Sequence, residues 1–247
     1  MLKGEIMANY AIFFSPTGGT KKVTNILADC LENVNFVDIT VKPQTLELTA
    51  EDVCIVSVPS YGGRVPAVAT ERLRQISGNG AKAIAVVVFG NRAIDDTLAE
   101  LKGQLDDAGF VTVAAMEAVA EHSIIRDFGA GRPDAQDAAQ LREFMSKIDL
   151  EKTVSAVPGT RPDKAAGGMA MVPKAGRACT DCGLCAKECP VGAITGKTAD
   201  KTKCIGCMRC VSICPAGARG LNPVMLFVGK LGMKKVCGGH KENKLYL

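Results

Sequence analysis

Five short apolar runs punctuate the first part of the chain: Asn9 to Phe14, Val34 to Ile39, Val53 to Val58, Ala83 to Phe89 and Val111 to Ala115. They are nearly continuous in Val, Ile, Ala and Phe, the pattern of strands buried on both faces. Between them the period changes. Val23, Ile26, Leu27, Cys30 and Leu31 fall at i, i+3, i+4, i+7 and i+8, one apolar face of a helix. A second helix is predicted from Pro66 to Gly78, and a third carries Ile94, Leu98, Leu101 and Leu105 and stops at Gly109. A fourth starts at Pro133 and carries Ala138, Leu141, Met145 and Ile148. Only the connection from Thr40 to Asp52 lacks a helical pattern. Strands alternating with helices predict an α/β fold, a doubly wound parallel sheet.

The loop after the first run reads Ser15-Pro16-Thr17-Gly18-Gly19-Thr20 and leads into the first helix. A helix N-terminus with glycines and hydroxyls offers free N–H groups, a favourable dipole and extra donors to an anion. It lacks the lysine of a nucleoside-triphosphate loop and the spacing of a dinucleotide fingerprint, so a phosphate monoester is the expected ligand. Two further loops leave the same sheet edge, Pro59-Ser60-Tyr61-Gly62-Gly63-Arg64 and Gly90-Asn91-Arg92. Taken singly these residues read equally as a turn tyrosine, solvated arginines and helix caps. The loop after the fifth run holds His122, one of two histidines; it is a weak catalytic candidate or an exposed loop residue.

Beyond a linker expected over residues 157–172, the pattern gives way to cysteine chemistry. Cys179, Cys182, Cys185 and Cys189-Pro190 form one run, and Cys204, Cys207, Cys210 and Cys214-Pro215 repeat it. C-x2-C-x2-C-x3-C-P, doubled, is the spacing for a pair of 4Fe-4S clusters in which the fourth cysteine of each run ligates the other cluster. Cys179, Cys182, Cys185 and Cys214 are thereby assigned to one cluster, and Cys204, Cys207, Cys210 and Cys189 to the other. Gly183 and Gly206 let the loops wrap closely. Zinc prefers two pairs of ligands, and a disulfide framework needs an exported chain.

Composition adds three points. Of eleven cysteines, eight stand in the runs, leaving Cys30, Cys54 and Cys237 as small core residues or spare thiols. Thiolate-held clusters need a reducing compartment, which points to the cytoplasm; no apolar stretch approaches the eighteen or so residues of a membrane helix. Net charge is +4. Between Pro173 and Asn222 the basic residues Lys174, Arg177, Lys187, Lys197, Lys201, Lys203, Arg209 and Arg219 outnumber Asp181, Glu188 and Asp200. They offset the clusters' negative charge or dock an acidic redox partner; without interleaved aromatics they do not read as a nucleic-acid groove. After Asn222, Pro223 to Val228 reads as a short strand or helix, followed by a basic tail expected to dock on the first domain.

Residues 173–222 resemble the bacterial-type two-cluster ferredoxins, including both Cys-Pro endings. The first 156 or so residues resemble flavodoxins, on Phe14 to Thr20, with Thr24 where that pattern commonly has alanine, and on the two further loops. That resemblance implies five strands in order 2-1-3-4-5. It also implies FMN bound by Ser15 to Thr20, Pro59, Ser60, Tyr61, Gly62, Gly63, Arg64, Gly90, Asn91 and Arg92, with Tyr61 stacked on the ring. Arg64 and Arg92 would then lie near the flavin. Together the halves resemble the fused flavodoxin-ferredoxin electron-transfer proteins of anaerobes. The implied function is an iron-sulfur flavoprotein electron carrier serving redox partner proteins, namely ferredoxin- or flavodoxin-dependent enzymes. Two alternatives stand beside it: an FMN-dependent reductase of a quinone, nitro compound or enone, and a flavin-free docking module for the ferredoxin part.

Overall fold

The computed structural model describes residues 7–162 and 171–247. Half of the expected linker, 163–170, lies outside the described residues. The first domain runs β1 (Asn9–Phe13), α1 (Gly19–Ala28), β2 (Val34–Asp38), β3 (Val53–Pro59), α2 (Ala67–Leu73), β4 (Lys82–Phe89), α3 (Thr97–Asp107), β5 (Val111–Val119) and α4 (Ala135–Ser146). The cysteine region holds only short elements: β6 (Lys174–Ala175), α5 (Leu184–Lys187), β7 (Ile194–Thr195), β8 (Thr198–Ala199), α6 (Arg209–Ser212) and β9 (Arg219–Gly220). α7 (Pro223–Cys237) and β10 (Lys244–Tyr246) complete the chain.

Five strands are parallel in the order β2-β1-β3-β4-β5, the flavodoxin-like doubly wound arrangement. Successive residues of β3 enter opposite cores. Cys54, Val56 and Val58 face Val68, Leu73, Leu98 and Leu101 of α2 and α3. Val53 and Ile55 face Val23, Leu27, Leu141 and Phe144 of α1 and α4. Continuous apolar runs arise because both faces are covered. β2 departs from that expectation: Val37 is its one buried residue, and Phe36 is 54% exposed, because the strand stands at the sheet edge. α4 starts at Asp134, whose side chain accepts from the Gln136 and Asp137 N–H groups in a capping box.

The sheet has six strands rather than five. β10 pairs antiparallel with β5, Leu245 opposite Met116. The extra strand comes from the far end of the chain, and polar groups fix it there. Asn243 accepts from the Val119 N–H at 2.9 Å and donates to Asp137 at 2.9 Å and Gln140 at 2.8 Å. Arg132 forks onto the Asp137 carboxylate and donates to the Lys241 carbonyl at 2.6 Å. Pro223 to Val228 is the start of a 15-residue helix, capped by the Asn222 side chain. Its inner residues Leu226, Met233 and Cys237 pack on Ile124, Ile125 and Phe128. Asn91 Nδ2 donates to the carbonyls of Cys237 at 2.7 Å and Gly239 at 2.9 Å. Of the three unassigned cysteines, Cys54 and Cys237 are buried and Cys30 is exposed.

Burial alone would raise the Asp137 carboxyl, but hydrogen bonds from Arg132, the Asp134 N–H and Asn243 outweigh it and hold the group at about 2. A depressed carboxyl contributes stability above its unfolded pKa and loses it only as pH falls towards the folded value. Amide-exchange protection of β10 should therefore be flat between about pH 6 and 8, once corrected for intrinsic exchange. Asp137→Ala should lower it by about 3 kcal/mol, because a buried guanidinium is left unpaired. Unchanged protection in Asp137→Ala would show that the network does not hold the strand.

Candidate functional site

A cleft opens at the carboxyl edge of the parallel sheet, at the switch point between β1 and β3 where such folds place ligands. It is lined from four loops, by Pro16, Thr17, Gly19 and Thr20, by Pro59 to Tyr61, by Val88 to Gly90, and by Ala120 to Ser123. Ser15 lies beneath, its N–H donating to Thr40 Oγ1 at 2.8 Å and its Oγ accepting from the Lys21 N–H at 2.9 Å. Gly18, with φ +93°, turns the chain into α1. The N–H groups of Gly19 and Thr20 open that helix, so they have no intrahelical acceptor, and both residues line the cleft. Thr24, fully buried, bonds back to the Thr20 carbonyl at 2.9 Å. Hydroxyls, free N–H groups and the positive end of a ten-residue helix fit a phosphate monoester.

Two backbone positions shape the walls. A side chain at Gly90 would place its Cβ 2.8 Å from the His122 Cα, so glycine is what lets the β5 loop lie against the β4 loop. Gly63, with φ +82°, leaves no room either: a Cβ there would meet the Asp95 carboxylate at 2.3 Å. His122 Nδ1 accepts from the N–H groups of Ile124 at 3.2 Å and Ile125 at 3.1 Å. The ring proton is thereby assigned to Nε2, and burial lowers the pKa of the imidazole.

The other loop residues turn away from the cleft. Arg64 forms a two-bond pair with Glu100, at 2.8 and 3.1 Å, and Arg92 pairs with Asp95. Neither lines the cleft, because a carboxylate on or beside α3 captures each guanidinium. Gly62 and Gly63 form the turn behind Tyr61, and Asn91 holds the end of α7. Glu121 and Ser123, which flank His122 on the loop after β5, enter the wall with it because that loop folds back over the cleft.

The cysteine region forms two cavities. Cys179, Cys182, Cys185 and Cys214 line one; Cys189, Cys204, Cys207 and Cys210 line the other. Each brings three cysteines of one run together with the fourth of the other. The runs share local geometry: Ala193 N–H donates to Cys189 Sγ and Ala218 N–H to Cys214 Sγ, both at 3.3 Å. Positive φ occurs at Asp181 and Gly183 in one loop and at Gly206 and Met208 in the other. Burial pushes the thiols of Cys207 and Cys210 up to about 12 and about 11, so a bound cation is needed for both to serve as thiolates at neutral pH. Four sulfurs around a mostly apolar cavity, with N–H groups directed at sulfur, fit a thiolate-ligated cluster.

The second cavity is the one next to the sheet. Val191 and Ile205 pack against the core under α2 and α3. Arg72, 7% exposed, donates to the carbonyls of Ile39, Thr40 and Val41 on one side and of Pro190, next to Cys189, on the other. Arg209 pairs with Glu188 and reaches the Pro16 carbonyl at 3.4 Å. Burial, and secondarily the charge of Cys207, push the Tyr61 phenol well above its usual range. Tyr61 itself lines the cleft.

Residues 177–195 and 198–219 match the 4Fe-4S binding domain family. An uncharacterized protein of Methanothermobacter thermautotrophicus is 36% identical over 61 residues, which are 24% of this chain and 14% of that protein. The chain thus spans a small part of that relative. A flavoprotein of Bacteroides uniformis is similar over 58% of this chain and 100% of its own, with 13% identity and a TM-score of 0.43. An archaeal flavodoxin covers 56% of this chain and 94% of its own, at 9% and 0.41. The rubredoxin oxygen:oxidoreductase of Desulfovibrio gigas covers 57% of this chain, which spans 35% of it, at 16% and 0.40. These likenesses are distant, and the strand order itself defines the fold. The protein joins a flavodoxin-like α/β domain to a 4Fe-4S binding domain. Among the described residues no helix is long and apolar enough to cross a membrane.

Arg72→Met removes four carbonyl partners at once. Anaerobic urea unfolding should show a loss of about 3 kcal/mol, and the cysteine region should become sensitive to protease in native buffer. A loss under about 0.5 kcal/mol, the range of ordinary surface changes, would mean that Arg72 does not fasten the two parts.

Proposed function

We propose that the protein is an iron-sulfur flavoprotein electron carrier, with FMN in the cleft and two 4Fe-4S clusters in the cysteine cavities. The observation that carries this reading is the docking of the second cavity beside the cleft: Arg209 reaches the carbonyl of Pro16 in the cleft wall, Arg72 ties Pro190 to the segment after β2, and Ile205 packs on the sheet core. Bound clusters take up single electrons and a flavin one or two, so the pair links one- and two-electron partners. The chain's own residues supply position. Ser15 holds the phosphate loop to Thr40, Arg72 holds Thr40 to Pro190, and Arg209 reaches the Pro16 carbonyl. Redox partner proteins are the expected donors and acceptors.

A second reading rests on His122. With Nδ1 fixed as an acceptor, Nε2 carries a proton on a residue that lines the cleft, which is what a reductase of a small organic acceptor requires of a proton donor. In the carrier reading this histidine only shapes the wall.

Anaerobically reconstituted protein should hold about eight irons, eight sulfides and one FMN per chain. Thr17→Ala combined with Thr20→Ala should weaken FMN more than riboflavin, by about 1.5 to 3 kcal/mol for each charged hydrogen bond lost. Equal weakening of both flavins would mean that the loop holds no phosphate. Saturable turnover of a quinone or nitro compound that disappears in His122→Ala would transfer the assignment to the reductase.

A further inference from the structure

Aligned cysteine to cysteine, the two runs set Gly183 opposite Met208, Ala193 opposite Ala218 and Ile194 opposite Arg219. The first two pairs keep the local symmetry: Gly183 and Met208 both have positive φ, and Ala193 and Ala218 make equivalent N–H to sulfur bonds of 3.3 Å. The third pair breaks it. Where one repeat inserts a buried isoleucine, the other inserts a guanidinium that is 3% exposed.

Arg219 lines the cavity of Cys179, Cys182, Cys185 and Cys214, and Nε donates to Cys185 Sγ at 3.2 Å. Its remaining nitrogens go to neutral carbonyls, Gly196 at 3.1 Å and Pro173 at 3.5 Å. No carboxylate pairs with it among the described residues, so its charge is not neutralised nearby. Cys210 of the second cavity also feels the guanidinium, but the hydrogen bond to sulfur belongs to the first. Ile194, its counterpart, lines the second cavity and has no charge to offer.

A buried cation that donates to a ligand sulfur favours the more negative, reduced state of the group held by that sulfur. We propose that Arg219 sets the two clusters apart, raising the reduction potential of the one held by Cys179, Cys182, Cys185 and Cys214 above that of its partner. The proposal rests on the reading that both cavities hold 4Fe-4S clusters. A single electron entering the pair then rests on the cluster remote from the flavin cleft, and moving it to the near cluster is the uphill step. No proton or bond change accompanies the transfer; one cluster is oxidised as the other is reduced.

The test is a dithionite redox titration of the full chain, reconstituted anaerobically, with each cluster's signal followed by low-temperature electron paramagnetic resonance. Cys185→Ser marks the signal of the remote cluster. Wild-type protein should show two midpoints, the higher one belonging to the marked signal. Arg219→Gln should lower that midpoint more than its partner's, changing the reduced-to-oxidised ratio at fixed potential about tenfold, which is 59 mV for one electron. Arg219→Lys should shift it in the same direction by less, and it decides the matter if the glutamine variant does not load. Wild-type protein without iron would sink the cluster reading itself. Loaded clusters whose higher midpoint is unmoved by either substitution, or belongs to the unmarked signal, would overturn the role of Arg219.

Discussion

The guanidinium of Arg72 is the point on which the arrangement depends. A flavodoxin-like sheet is complete without a cysteine region, and two repeated cysteine loops can fold around their own ligands. What fixes one against the other is the set of contacts across the seam. Arg72 projects from α2 and gathers three carbonyls from the end of β2 together with that of Pro190. A charged donor held by four acceptors in a buried site has little freedom to rotate or to exchange with water, so the seam is specified rather than merely sticky. Thr40, held by the same group, also receives the Ser15 N–H, so the phosphate loop is tied into the seam.

The chain closes on itself by a second route. After the cysteine region, α7 lies over the loop that carries His122, and β10 completes the sheet beside β5. The segment that follows the cysteine region therefore returns to the flavodoxin-like sheet and is fastened there. Arg132, Asp137 and Asn243 do for the tail what Arg72 does for the seam. The outer side of α7 remains apolar, with Phe227 61%, Val228 61% and Leu231 59% exposed, and Lys234 and Lys235 near its end.

The parts legible in the sequence were those written in local pattern. Doubly covered strands left continuous apolar runs, and the paired cysteine spacing left an unmistakable period. The sixth strand was not legible, because Lys244 to Tyr246 is three residues long and acquires its role only by meeting β5. The flavodoxin resemblance implied FMN contacts for Arg64, Asn91 and Arg92, but a resemblance does not show which carboxylate or carbonyl competes for a side chain. Glu100, Asp95 and the end of α7 won that competition. Arg72 gave no signal at all, since its partners Thr40 and Pro190 lie far from it in the chain. Arg219 stood out only as one more basic residue until its burial was seen.

The central claim is that clusters and flavin exchange electrons within one chain, across the seam that Arg72 and Arg209 bridge. The most direct test is a flash-reduction experiment on protein loaded with both cofactors, in which the cluster and flavin bands are followed separately over a range of protein concentrations. Electrons placed on the clusters should reach the flavin at a first-order rate that does not change as the protein is diluted. A rate that falls in proportion to protein concentration would show that the exchange occurs between molecules, and would contradict the account.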